Sequence, residues 1–193
     1  MYDYFKGIIT QLTPTFVVVE TGNIGYLMNI SLNTFTKLKD GDSVKLYVHQ
    51  VIKEDAHDFF AFIDDQERQI FRSLISVSGV GANTARMILS SLSPAEIIIA
   101  ITSGDVKTLK AIKGIGEKSA QRMIIDLKDK FGKIGEIPDI FGSKDNTSKQ
   151  EALSALVMLG FVKSSVDKVL DKIVSETPAA TVEQLVKLSL KRL

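Results

Sequence analysis

The sequence predicts a multidomain chain: a β barrel over residues 1–63, an all-α domain over 64–132, a linker at 133–148 and a three-helix bundle over 149–193. Three observations predict it. Short β-branched and aromatic runs broken by turn residues fill the first third. A helical period begins near Asp64 and carries two copies of one glycine-centred pattern. A stretch rich in glycine, proline and polar residues then sets off a last helical segment.

In the first segment, "FKGIITQLTPTFVVVETGNIGYLMNIS" is interrupted by "TP" and "TGNIG", and "SVKLYVHQVI" and "FFAFI" follow. Gly22 and Gly41 close the turn signals "TG" and "DG". Roughly five strands in about 60 residues suit a small antiparallel barrel. The oligonucleotide/oligosaccharide-binding (OB) fold is one candidate, and any other small barrel is the generic alternative.

From Asp64 the period changes. "DQERQIFRSLISV" sets Ile70, Phe71, Leu74 and Ile75 on one helical face. Ser93 before "PAEI" reads as an N-cap with Pro94 at the first helical position, and Glu96 is read as one position short of a capping box. The pattern "SVSGVGANTARMIL" at 76–89 returns 35 residues later within "AIKGIGEKSAQRMI" at 111–124. Two copies are too few for a free-standing repeat array, so they belong to one compact unit. "GKIGEIPDIFGSKDNTSKQ" reads as a flexible linker, and the remaining residues give three helices divided by "LGF" and "ETPAAT".

Composition excludes several classes of function. The chain has no cysteine and two histidines, His49 and His57. Disulfides, thiolate metal sites and cysteine nucleophiles are ruled out, and the balance fits a reducing cytoplasm. The N-terminus lacks the apolar core of a signal peptide, and no apolar run approaches the ~18 residues of a membrane span. Net charge is +1. Residues 1–63 carry 5 Lys/Arg against 7 Asp/Glu, and residues 64–131 carry 10 against 8, so the glycine repeats lie in a mildly basic block.

Glycine between two helices permits positive φ and lets another backbone come close. The following helix opens with unpaired N–H groups and the positive end of its dipole. Together these suit a phosphate oxygen held by main chain. Such contacts fix position on DNA without reading sequence. Lys118 and Arg122 share a helix face four residues apart, Ser119 donates from the first turn, and the first copy offers Asn83, Thr84 and Arg86. Val80 and Ile115, between the glycines, are expected to pack inward. A tight structural turn would explain one copy. Two matched copies, each with a small hydroxyl residue before alanine (Thr84-Ala85, Ser119-Ala120), favour phosphate binding. "GIGEKS" lacks the spacing and Gly-Lys pair of a P-loop, and neither hairpin contains G-x-G-x-x-G, so no nucleotide site or other cofactor is expected.

This order of barrel, tandem helix-hairpin-helix, linker and helical tail resembles the RuvA family of bacterial Holliday-junction branch-migration proteins over the whole chain. The landmarks are "GIGYLMNIS", "VIKEDAHDFFAF", "ISVSGVG", "KGIGEKSAQRMI", "EALSALVMLGF" and "VEQLVKLSLKRL". The resemblance implies a non-catalytic homotetramer, single or as two stacked tetramers, that binds a four-way DNA junction and holds it open and nearly square. It implies RuvB, a hexameric ATPase, as the motor partner, and the RuvC junction resolvase as a further one. It places DNA contact at Gly79, Val80, Gly81, Asn83, Thr84 and Arg86, and at Gly114, Ile115, Gly116, Lys118, Ser119 and Arg122. Where the family commonly has lysine, this chain has Asn83 and Glu117. Glu54 and Asp55 match an acidic pin that projects toward the crossover. Leu156, Leu159, Phe161 and Leu190 are the residues the resemblance offers for contact with RuvB.

Two other classes of function compete with this one. A helix-hairpin-helix glycosylase or nuclease needs a catalytic Lys or Asp beside a hairpin or an acidic metal cluster. Asp126 and Asp129 follow Gly116 by 10 and 13 residues, on what reads as the solvent side of a helix, so no such site is expected. A pure protein adaptor would leave both hairpins unexplained.

Overall fold

The computed structural model describes residues 1–134, 147–177 and 180–193, which fall into two compact units divided between Gly135 and Glu136. The first unit opens with β1 (Tyr4–Leu12), β2 (Phe16–Thr21), β3 (Ile24–Ile30), α1 (Leu32–Phe35), β4 (Ser43–Ile52) and β5 (His57–Phe62). These strands close a barrel in the order β1-β2-β3-β5-β4. Alternation along the pleat turns Phe5, Ile9, Val17, Val19, Met28, Ile30, Leu46, Val48 and Ala61 into its core. The barrel is not wholly antiparallel, because β3 and β5 pair in parallel through Asn29–Phe60 and Ile30–Ala61. Closure joins two strands that are not neighbours in sequence, so turn signals could not reveal this pairing.

Helix α1 had no sequence counterpart. It is four residues long, too short to show a period, and is nucleated by Ser31, whose Oγ accepts from the Thr34 N–H at 3.0 Å.

The helices of this unit are α2 (Asp65–Ile75), α3 (Ala82–Ser91), α4 (Pro94–Ser103), α5 (Val106–Lys110) and α6 (Glu117–Ile134). Asp64 caps α2, and Asp105 caps α5. Ser93 and Glu96 form a full capping box on α4, which corrects the expected one-residue shortfall: with Ser93 as cap and Pro94 first, Glu96 is the third helical residue. Gly104 ends α4 in the left-handed region at φ 75°.

One apolar core serves both the helices and one side of the barrel. Phe60 and Phe62 of β5 lie in the same cluster as Ile70, Phe71, Leu74, Ile88, Ile101 and Phe131. Phe71 is fully buried, with ring centroids 5.1 Å from Phe60 and 5.0 Å from Phe62. Barrel and helices therefore hold each other in a fixed relation, at a burial gain of about 1.5–3 kcal/mol for such a ring.

The second unit consists of α7 (Thr147–Met158), α8 (Lys163–Glu176) and α9 (Val182–Leu190). Ala152, Leu156, Val166, Leu170, Ile173 and Leu185 form its core. Lys149 ties α7 to α8 through Asp167 at 3.1 Å and Asp171 at 2.6 Å. Of the expected linker 133–148, residues 135–146 lie outside the described residues, while 133–134 end α6 and 147–148 begin α7. No single described helix is long and apolar enough to cross a membrane.

Candidate nucleic-acid interface

The two glycine hairpins have one backbone plan. The first joins α2 to α3, and the second joins α5 to α6. Gly79 and Gly114 both sit at φ 90°, a left-handed conformation that side chains strain to adopt. Val80 N–H donates to Val77 O at 3.0 Å, and Ile115 N–H to Ile112 O at 3.1 Å. Ala85 N–H donates to Gly81 O at 2.9 Å, and Ala120 N–H to Gly116 O at 3.0 Å. Val80 and Ile115 point into the core, as their apolar character predicts. Any DNA contact at those two positions is confined to main chain.

The second glycine of each hairpin tells more than the first. Gly81 is extended, at φ −84° and ψ 169°, and Gly116 is absent from the positive-φ residues. A Cβ built on either would meet nothing within 4 Å. The fold thus needs glycine at 79 and 114, yet has no steric use for it at 81 and 116. Those two positions leave an unobstructed approach to a helix N-terminus, and Gly81 supplies no side-chain cap to α3. Such a surface suits an anion carried on another chain.

Charge is concentrated at the second hairpin. Lys118 and Arg122 line one open groove with Ser119, Ser78 and Gly79, so the turn of the first hairpin borders the helix face of the second. Among the described residues neither Lys118 nor Arg122 has an ion-pair partner within 4.0 Å. Lys110 is engaged, with its Nζ 3.0 Å from Glu117 Oε2 at the start of α6. Asn83 is exposed and Thr84 half-buried on the first turn of α3. Sequence reasoning missed Ser78, which is adjacent to Lys118 and Arg122 only in space.

Arg86 is engaged by the barrel. Its Nη1 donates to Thr15 O at 3.0 Å and to Asn29 Oδ1 at 2.9 Å, so the guanidinium is turned onto the barrel. Arg86 stands about one turn along α3, on a face that leads away from the hairpin, a direction that spacing within one helix could not supply.

Glu54 and Asp55 are exposed at the tip of the β4–β5 hairpin, where Lys53 N–H donates to Ala56 O at 2.8 Å. Asp126 and Asp129 are exposed on α6, and the described residues contain no group of three His, Cys, Asp or Glu placed to hold a metal.

Two buried charges lock the helices to the barrel. Glu67 on α2 is fully buried and accepts from Ser31 Oγ and from Thr34 Oγ1, the latter at 2.8 Å. Burial raises its pKa above the usual carboxylate range, and the two hydroxyl bonds offset only part of that shift. Arg68 Nη1 reaches Asp3 Oδ1 at 2.6 Å and pairs with Asp65, with its guanidinium 5.0 Å from the Tyr47 ring. The hydrogen bond from Arg68 lowers the pKa of Asp3.

In the second unit the four expected contact residues divide. Leu156 is fully buried, which corrects its reading as a surface contact: it follows Ala152 by one turn of α7 and fills the same core. Phe161 is partly buried against that core. Leu159 and Leu190 are exposed at 62% and 46%, and Met158 and Val162 are exposed as well.

Comparison with known proteins agrees with this arrangement. Residues 1–61 match the family description "RuvA N terminal domain", residues 71–129 "SAM-like Helix-hairpin-helix tandem" and residues 148–193 "RuvA, C-terminal domain". The chain is 50% identical over 193 residues to a protein of Christiangramia forsetii, with 100% of each chain covered. It is 50% identical to one of Flavobacterium psychrophilum over the same length and coverage, and 45% identical over 201 residues to one of Bacteroides fragilis, again with both chains fully covered. Each of these relatives is named as the Holliday junction branch migration complex subunit RuvA. With a barrel, a helix-hairpin-helix tandem and a C-terminal helical domain in the family's order, the chain belongs to the RuvA family.

Proposed function

We propose that this chain is a non-catalytic, junction-binding subunit of a branch-migration complex, which grips four-way DNA through its paired hairpins and works with the RuvB ATPase. This reading is supported above all by the pair of matched hairpins, each with a glycine its own fold does not require, bordering Lys118 and Arg122, which have no ion pair among the described residues. Backbone donors and two neighbouring cations suit a phosphate run and carry no sequence preference.

On this reading Gly79, Gly81, Gly114 and Gly116 present main chain to the minor-groove backbone, and Asn83, Thr84, Lys118 and Ser119 flank it with Arg122. Four copies arranged around the crossover would bring Glu54 and Asp55 of each to the centre. Carboxylates there repel converging phosphates and help keep the strands apart. A homotetramer, one or two per junction, is part of the proposal, as are a cytoplasmic location and RuvC as a later partner. The division at 63, 132 and 148 makes the last helices a separate motor-binding domain, with Leu159, Phe161 and Leu190 as its contact residues.

The test is a salt titration of binding to a synthetic four-way junction and to linear duplex of equal length, without Mg²⁺ or nucleotide. Junction binding that survives salt releasing the duplex is the expected result. Equal affinity for the two DNAs would overturn the structure-specific reading, and junction cleavage on adding Mg²⁺ would point to an enzyme.

A further inference from the structure

The first hairpin is fastened to the barrel by a seam of polar bonds along α3. Arg86 donates to Thr15 O and Asn29 Oδ1, while Asn29 Nδ2 donates onward to Phe59 O at 3.3 Å. Ser90 Oγ accepts from Leu32 N–H at 3.1 Å and donates to Arg86 O at 2.8 Å. Asn33 Nδ2 reaches Leu89 O and Leu92 O at 2.5 and 3.0 Å, at the C-terminal end of α3. Arg86 is therefore the seam's one cation, it lies nearest the hairpin, and its Nη1 donates to two barrel segments at once.

We infer that Arg86 is a positioning residue that fixes the first hairpin relative to the barrel, rather than a phosphate contact, and so sets the junction-over-duplex preference. The inference rests on the proposed junction function. Its physical basis is that a duplex needs only one well-formed hairpin pair, whereas a junction must satisfy hairpins and the barrel-borne Glu54 and Asp55 together. A charged nitrogen bonded to two elements at once limits their relative rotation in a way one bond cannot. Loosening it leaves the phosphate surface intact while spreading the angle between hairpin and barrel. Precision at a site is lost when its supporting contacts go, even where every contacting group remains.

The experiment compares wild type with Arg86→Ala, Arg86→Lys and Asn29→Ala as full chains, on a four-way junction and on linear duplex across a salt series. For Arg86→Ala the junction-to-duplex affinity ratio is expected to fall about tenfold, equivalent to about 1.4 kcal/mol. The log–log salt slope on duplex stays at the wild-type value, because no phosphate contact is removed. Arg86→Lys keeps the charge but loses the planar guanidinium nitrogen that reaches both acceptors, and falls with Arg86→Ala. Asn29→Ala removes the acceptor without touching α3 and lowers the ratio in the same direction, which covers the case in which an Arg86 variant folds poorly. A duplex slope reduced by about one unit in Arg86→Ala would identify a phosphate contact and overturn the inference. So would full rescue by Arg86→Lys, or an unchanged ratio in both Arg86→Ala and Asn29→Ala. Equal junction and duplex affinity in the wild type would instead overturn the junction function itself.

Discussion

The two hairpins share a backbone and differ in almost everything attached to it. The first is bonded to the barrel on both of its helices: α2 through Glu67 and Arg68, α3 through Arg86, Ser90 and the reach of Asn33. Its own first turn offers the neutral Asn83 and Thr84. The second makes none of these barrel bonds, and carries Lys118 and Arg122 free of ion pairs among the described residues. On the proposed function, an internal repeat separates into a half that sets geometry and a half that supplies charge. Matched φ and matched hydrogen bonds preserve the common backbone plan while the side chains around it take different partners.

The glycines give the largest effects with which to break this comparison. Gly79→Ala and Gly114→Ala force a side chain into the left-handed region and should each cost about 1–2 kcal/mol of stability, read as a lowered midpoint in denaturant. Gly81→Ala and Gly116→Ala meet no neighbour, so stability should hold or rise by about 0.5 kcal/mol. Their DNA affinity should nonetheless fall at least about tenfold, near 1.4 kcal/mol, because the added methyl stands where a phosphate must approach. If all four glycines lose stability and affinity in parallel, the hairpins are structural turns and no more.

Glu117 sharpens the contrast further. It occupies the position in the second hairpin that Ala82 holds in the first, and it ties up Lys110. Glu117→Gln releases that lysine and removes a like charge from the phosphate path. Affinity for DNA should rise about threefold, the scale of an exposed pair, in a fluorescence-anisotropy titration. An unchanged or weaker affinity would show that the carboxylate does not oppose DNA.

A smaller effect tests the α2 side of the first hairpin. The pKa of Glu67 is raised in the folded protein, so its protonated form is the one the fold favours. The stability it lends is present below the ordinary glutamate value of 4.5 and is lost as pH rises through the higher folded value. Glu67→Gln cannot titrate. The stability of the wild type relative to this variant should therefore decline from pH 4.5 upward, as measured by thermal melts at several pH values. A flat difference would remove Glu67 from the account.

Much of this was legible in the sequence, and what was missed has a common physical origin. The barrel strands, the helical change at Asp64, the two hairpins and the inward Val80 and Ile115 follow from local period and from glycine chemistry. The parallel β3–β5 pairing, the Arg86–Asn29 bond and the burial of Glu67 by Ser31 and Thr34 join residues far apart in the chain. For Arg86 and Asn29 the separation is 57 positions. A cation beside a glycine hairpin reads as a phosphate ligand until the other side of the molecule is in place. Leu156 illustrates the same limit, since an apolar residue near a helix end carries no mark of which side it faces.

The most direct test of the division between the hairpins is the salt dependence of duplex binding by wild type, Arg86→Ala and the double variant Lys118→Ala/Arg122→Ala. If the second hairpin supplies the charge, the log–log slope falls by roughly two units per protomer engaged in the double variant and keeps its wild-type value in Arg86→Ala. Equal loss of slope at both sites would contradict it, for the two hairpins would then grip phosphate alike.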